Sequence, residues 1–334
     1  MTASEAVPSI TILSLGAGVQ SSALALMAED GIIPKPDAAI FADTGDEPAA
    51  VYAHLERLRG MVSFPIYVVK EGNGLGNDFL AALSGDSTRC SQPPFFVRAP
   101  DMSPEEIEAV LCLPLPEIAD FPAPAEGFFL SSDGEEQWGA NDAYGQALYS
   151  YLTLRNKALK KDEGGMLWRA CTRDYKIHPI RRKGRELMEA AGARQIVQLI
   201  GISTDEWDRE TASDVRYITL RHPLLELGWS RQQCEKYLWE RWGIIAPKSA
   251  CRYCPYRSNA GWRWMKQNEP DEFELSCLFD ESIREAQGRS IRGARIVGQL
   301  YVHRSFTPLR TAILDDDGQH DFGFEQECHG MCGM

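Results

Sequence analysis

The feature that most constrains this chain is an apolar run that ends in a glycine turn and leads directly into a helical segment, and it occurs twice before residue 60. Residues 11–15 read as a short buried strand, Gly16-Ala17-Gly18 make a turn, and residues 21–29 read as a helix. The pattern returns with an apolar run at 38–42, a break at Asp43-Thr44-Gly45, and helical periodicity over 48–59. Residues 66–70 supply a third strand. Strands alternating with helices of this length predict an α/β fold, a parallel sheet with helices on both faces. In such sheets ligands bind at the carboxyl ends of the strands, where both turns fall.

The 334 residues are 44% hydrophobic, enough for a sizeable core, so disorder is excluded as the main state. The first residues, MTASEAVPSI, lack a basic stretch followed by an apolar run, and no uncharged segment approaches the roughly 18 residues needed to span a bilayer. The expectation is a soluble, cytoplasmic protein without membrane contact. Its nine cysteines are then expected in a reducing compartment, serving metal binding, redox chemistry or packing. A net charge of −13 argues against tight sequence-independent nucleic-acid binding, so any such contact needs a local basic patch.

Between residues 101 and 145 the pattern dissolves into segments rich in Pro, Asp and Glu with no Lys or Arg, which read as an exposed insertion or lid. Helices are expected near 149–161 and over 179–191, and a strand over 195–200. The organisation expected is an α/β nucleotide-binding domain at 1–100 and 146–229, the acidic insertion at 101–145, and a mostly helical, metal-binding part at 230–334. Within that last part, helices are expected at 231–242 and 259–266.

The run Ser14-Leu15-Gly16-Ala17-Gly18-Val19-Gln20-Ser21-Ser22 joins strand to helix through small residues, so backbone N–H groups and the helix start can face an anion. The lysine of a Walker A loop is missing. This loop resembles the PP-loop of adenine-nucleotide α-hydrolases, usually SGGxDS, and Phe41-Ala42-Asp43-Thr44-Gly45 resembles the DTG element of phosphoadenosine phosphosulfate reductases and their nucleic-acid-thiolating relatives. The resemblance implies the Rossmann-like fold of that superfamily, with phosphates or sulfate held by Gly16, Ala17, Gly18, Gln20, Ser21 and Ser22, and adenosine beside Asp43, Thr44 and Gly45. Gln20 stands where pyrophosphate-releasing members carry Asp, often near Mg²⁺, which makes Mg²⁺ a further implied cofactor. The segment 201–209 resembles the family's substrate-facing segment after the third strand, and gives Asp205, Glu206 and Arg209 as candidate catalytic groups.

Cys251-Arg252-Tyr253-Cys254-Pro255 offers two thiolates able to chelate one metal or cluster from a single turn; a redox pair or structural zinc uses the same spacing. The segment from Cys171 through Arg173, Lys176 and Pro179 resembles the one preceding the distal CxxC in cluster-containing reductases, which implies a [4Fe-4S] cluster, with zinc as the alternative. Those relatives have a double cysteine where this chain has Ala170-Cys171. Cys171, Cys251 and Cys254 are the expected ligands, with a fourth position open or filled by Cys90, Cys328 or Cys332. The tail from Glu327 is reminiscent of the reductases' nucleophilic Glu-Cys-Gly element, with Cys328 as the nucleophile and His329 inserted. Cys112, Cys234 and Cys277 read as packing residues.

Arg169, Arg173, Lys176, Arg181, Arg182, Lys183 and Arg185 crowd one stretch of this acidic chain, where they are expected to hold phosphates. The resulting expectation is sulfur transfer to a nucleic acid with ATP as activator and a separate sulfur donor. Reduction of a phosphosulfated adenosine by a thiol reductant is the second reading, and a non-catalytic nucleotide-binding partner of a modification or defence system is the third.

Overall fold

The computed structural model describes residues 7–86, 93–98, 104–117, 164–284 and 298–315, with short pieces at 129–130, 136–137, 147–148, 150–151, 290–291 and 294–295. Five parallel strands form the central sheet: β1 (Ser9–Ser14), β2 (Ala38–Asp43) and β3 (Ile66–Lys70) from the first part of the chain, and two that follow residue 190. Helices α1 (Val19–Glu29), α2 (Ala49–Arg59) and α3 (Leu75–Ser84) follow the first three strands. After them come β4 (Phe96–Arg98), α4 (Pro104–Leu111), β5 (Gly164–Met166) and α5 (His178–Ala190). The parallel sheet is completed by β6 (Gln195–Leu199) and β7 (Ile218–Arg221), and its order is β3-β2-β1-β6-β7. Then follow α6 (Arg231–Trp242), α7 (Asn259–Asn268), α8 (Pro270–Ser282) and β8 (Gln299–Tyr301).

The period-two alternation of the strands assigns each face to one core. Ile10, Ile12, Ile40 and Ile196 point with Ile180 of α5 into one apolar cluster. Leu13, Ala39 and Phe41 point the other way, into a cluster with α1, Leu55 of α2 and Leu238 of α6. Each fully buried Ile or Leu contributes roughly 1.5–3 kcal/mol. Ten consecutive residues of α1, from Val19 to Ala28, are buried, and their small side chains let the helix lie close against both sheet and α6. The expected α/β architecture is therefore what the chain adopts.

Two elements add to the expected organisation. The mostly helical part beyond residue 230 also carries β8, which pairs antiparallel with β4, which in turn pairs with β5. Three-residue strands are too short to show alternation, so this second sheet leaves no periodic signal in the sequence. The acidic insertion contains α4, which begins at Pro104 with Glu105 and Glu106 in its first turn, residues favoured at a helix start. The helix expected near 149–161 lies largely outside the described residues. Phe79, Phe95, Tyr253, Trp262, Phe273 and Leu300 form a separate core, packing α3, α7 and α8 against the second sheet. Among the described residues, no helix is long and apolar enough to cross a membrane.

Candidate functional site

At the carboxyl end of β1, Ala17 adopts a positive φ of 57° and Gly18 caps α1 in extended conformation. The Gly16 N–H donates to the Ser21 hydroxyl oxygen at 3.2 Å, and the Ser249 hydroxyl donates to the Gly16 carbonyl. A pocket opens here between the ends of β1, β2 and β6, lined by Ser14, Gly16, Ser21, Ala42, Gly201 and Lys176 among others. Gly201 is required by its neighbours: a Cβ there would lie 3.0 Å from the Ser21 nitrogen and 3.1 Å from the Gln20 carbonyl carbon. At the next turn, the Asp43 carboxylate accepts from the Gly45 N–H at 2.8 Å and the Tyr52 hydroxyl at 2.7 Å, and Gly45 takes a φ of 82°.

Gln20 does not face this pocket. Its side-chain amide reaches Glu206 at 3.4 Å and Ser203 at 3.5 Å, and its carbonyl accepts from Arg231 at 3.3 Å. Glu206 is 2% exposed and is held by Arg209 at 2.6 Å. Asp205 accepts from Ser203 at 3.2 Å and from the Arg231 backbone N–H, at the start of α6, at 2.5 Å. The expected catalytic groups Asp205 and Arg209, together with Gln20, thus tie the segment after β6 to the back of the loop, and none of them lines the pocket. Ser22 is likewise turned inward, 2.9 Å from His54. Burial pushes that imidazole down to about 4.

A second pocket lies beside the first. Cys171, Cys251 and Cys254 all line it, with Thr44, Lys176, Pro94 and Tyr256 among the other walls. Cys251 and Cys254 sit in a tight turn, closed by the Cys254 N–H donating to the Cys251 carbonyl at 3.0 Å. Cys171 begins a helical segment that widens into a π-turn at Arg173–Ile177. Pro179 lacks the N–H that would bond the carbonyl four residues back, which favours a change of register at this point. The π-turn buries Lys176, and its ammonium lies 3.6 Å from Glu47. Thr44 donates to Glu47 at 3.2 Å and lies 3.4 Å from the Cys251 sulfur. Lys176 lines both pockets, and Glu47 lines the loop pocket.

Burial pushes the Cys251 thiol well up, and the Glu47 carboxylate adds to it. Such a thiol becomes a ligand only when a metal supplies the charge that draws off its proton. Three thiols line this one pocket, and among the described residues no three His, Cys, Asp or Glu side chains stand close enough together to hold a metal ion. Lys176 and Arg169 beside the thiols would offset the negative charge of a thiolate-bound centre.

Cys90, Cys328 and Cys332 lie outside the described residues. Cys234 and Cys277 are buried as expected, with thiols pushed up to about 12 and about 11 by desolvation. Cys112 is exposed and is not a packing residue.

The basic stretch differs most from expectation. Arg181 pairs with Asp214, Arg182 with Glu71 at 2.9 Å, Lys183 with Glu186 at 3.0 Å, and Arg173 with Asp174 at 2.9 Å. Arg185 donates to Tyr217 at 2.7 Å. Four of these charges are neutralised locally, and Arg173 lines neither pocket. Glu47 lines the loop pocket and pairs with Lys176, a position the sequence reading did not single out. Its position three residues after Thr44 and just before α2 resembles ordinary helix capping, so nothing marked it. No protein-family model matches the chain, and no curated protein matches it in sequence.

Proposed function

We propose that this chain is a PP-loop-type adenine-nucleotide enzyme that transfers sulfur to a nucleic acid with the help of an iron–sulfur centre held by Cys171, Cys251 and Cys254. The observation that carries the reading is the continuity of the two pockets: Lys176 lines both, and Glu47 and Thr44 connect it to Cys251. A loop for phosphates beside a set of thiols is what an enzyme needs if it activates an oxygen with a nucleotide and then replaces that oxygen with sulfur.

In this reading the N–H groups around Gly16 to Ser21 and the start of α1 hold the nucleotide phosphates, and Lys176 orients them toward the cysteine side. The acceptor oxygen attacks the α-phosphorus and pyrophosphate leaves. A sulfur nucleophile from the donor then takes the activated carbon or phosphorus, and the oxygen departs with AMP. The centre held by the cysteines would supply a metal site for carrying that sulfur. Pro93, Pro94 and Tyr256 form walls of the pocket around the thiols.

Anaerobic purification with iron and acid-labile sulfide analysis, combined with ATP calorimetry, tests both halves. Expected are labile sulfide that disappears in Cys251→Ser, and ATP binding that survives in that variant. Stoichiometric zinc without labile sulfide would overturn the centre. Sulfite release from a phosphosulfated adenosine, at enzymatic turnover, would replace transfer by reduction.

A further inference from the structure

A third cavity belongs to neither pocket. It holds about 530 Å³ and lies between α2, the residues before Cys251, and α7. Arg57, Lys248 and Arg257 line it against a single carboxylate, Glu269, and His54 in its wall is kept neutral by burial. Arg257 is 5% exposed, and its Nε and Nη2 are buried with no hydrogen-bond partner. A buried guanidinium left so is costly, and an anion with two oxygens is its natural complement. Gly261 makes room for it, because a Cβ there would sit 2.9 Å from Arg257 Cγ. One turn along the same face of α7, Trp264 is 52% exposed and forms another wall, beside Ile245 and Pro247.

We propose that this cavity binds a phosphate-bearing nucleotide unit, with the phosphate on Arg257, Arg57 and Lys248 and the base stacked on Trp264. Stacking on an indole beside clustered cations is how sequence-independent single-strand sites work. The contrast with α5 supports the assignment: there the cations are paired with neighbouring carboxylates, whereas Arg257 keeps two buried nitrogens without a hydrogen-bond partner. The Arg257 backbone N–H donates to the Cys254 carbonyl at 3.1 Å, so this wall of the cavity lies one turn from the cysteine pocket. The inference rests on the proposed function only in regarding the bound nucleotide as part of the acceptor.

The test is fluorescence anisotropy with a labelled oligothymidylate and the full chain, with thymidine monophosphate and inorganic phosphate as competitors. Expected are a weakening of about tenfold in Arg257→Gln and in Trp264→Ala, and a slope of log affinity against log salt of about −2. Gly261→Ala, which keeps the charge but displaces it, should also weaken binding. Trp264 is half exposed, so its replacement reports on binding without threatening the fold. Competition by the mononucleotide at comparable affinity identifies a free nucleotide as the ligand, and competition by oligonucleotide alone identifies a strand. Unchanged oligonucleotide affinity in Arg257→Gln and Trp264→Ala would overturn the proposal, as would loss of metal in Arg257→Gln with binding retained. Wild-type protein that binds ATP but no oligothymidylate defeats this site alone; wild-type protein that binds oligothymidylate but no ATP defeats the nucleotide loop alone.

Discussion

The loop pocket and the cysteine pocket meet at Lys176 but are built in opposite ways. The first is made of consecutive residues at strand ends, where a glycine turn and a helix start leave backbone donors facing outward. The second gathers side chains from residues 44, 93–94, 169–176 and 251–256, brought together only by the packing of α3, α7 and α8. A site of backbone groups tolerates many side-chain changes but no added bulk. A site of side chains depends on each of them and on the core beneath.

The largest effect should come from the residue the two pockets share. Lys176→Met would leave Glu47 buried without its cation, and breaking a buried pair in this way costs about 3 kcal/mol. Chemical denaturation should show that loss, and Glu47→Gln added to Lys176→Met should restore most of it. A loss below about 1 kcal/mol would mean the pockets are merely adjacent.

Bulk should separate what Lys176 joins. Gly201→Val crowds the Ser21 nitrogen, so the loop must shift; about 2 kcal/mol of stability and most ATP affinity should go, while bound metal is kept. Gly76→Ala should do the converse, because its Cβ would meet the Tyr253 hydroxyl at 2.6 Å, inside the CxxC turn. Calorimetry and metal analysis on both variants check this. If either variant loses both ligands, the two pockets form one cooperative unit.

Each region also carries a buried neutral histidine, His54 against Ser22 and His303 against Asn259 and Ser305. Burial, with Arg57 or Arg304 adding to it, pulls each from 6.5 to about 4. The unfolded chain therefore binds protons that the folded one refuses. Stability is full above pH 6.5 and falls as pH drops toward 4, by about 2 kcal/mol per histidine at pH 5. Denaturation at pH 7 and pH 5 should show the slope, with His54→Gln and His303→Gln each removing one share. A flat profile in the wild type would contradict it.

The same difference in construction explains what the sequence could convey. β1, β2, β3 and the turns at Gly16 and Gly45 were legible because hydrophobic period and glycine are local signals. The meeting of Cys171 with Cys251 and Cys254 was inferred only through resemblance, since nothing local links residues 80 apart. Glu47 and the pairing of Arg181 with Asp214 depend on tertiary placement and left no local trace. The acidic segment after β6 was visible, but not that its side chains turn away from the loop pocket, because a polar turn at a strand end looks the same whether it faces a ligand or a helix terminus.

That placement yields the smallest predicted effect. Asp205 receives the first N–H of α6 and stands at its positive end, so its charge contributes a few tenths of a kcal/mol to helix stability. In Asp205→Asn the amide oxygen can still accept from Arg231, leaving only the charge lost. The expected cost is about 0.5 kcal/mol, with ATP affinity and turnover unchanged, since Asp205 lines neither pocket. Turnover that falls a hundredfold at preserved stability would return Asp205 to the catalytic groups, and would require the segment after β6 to swing toward the loop pocket when nucleotide binds.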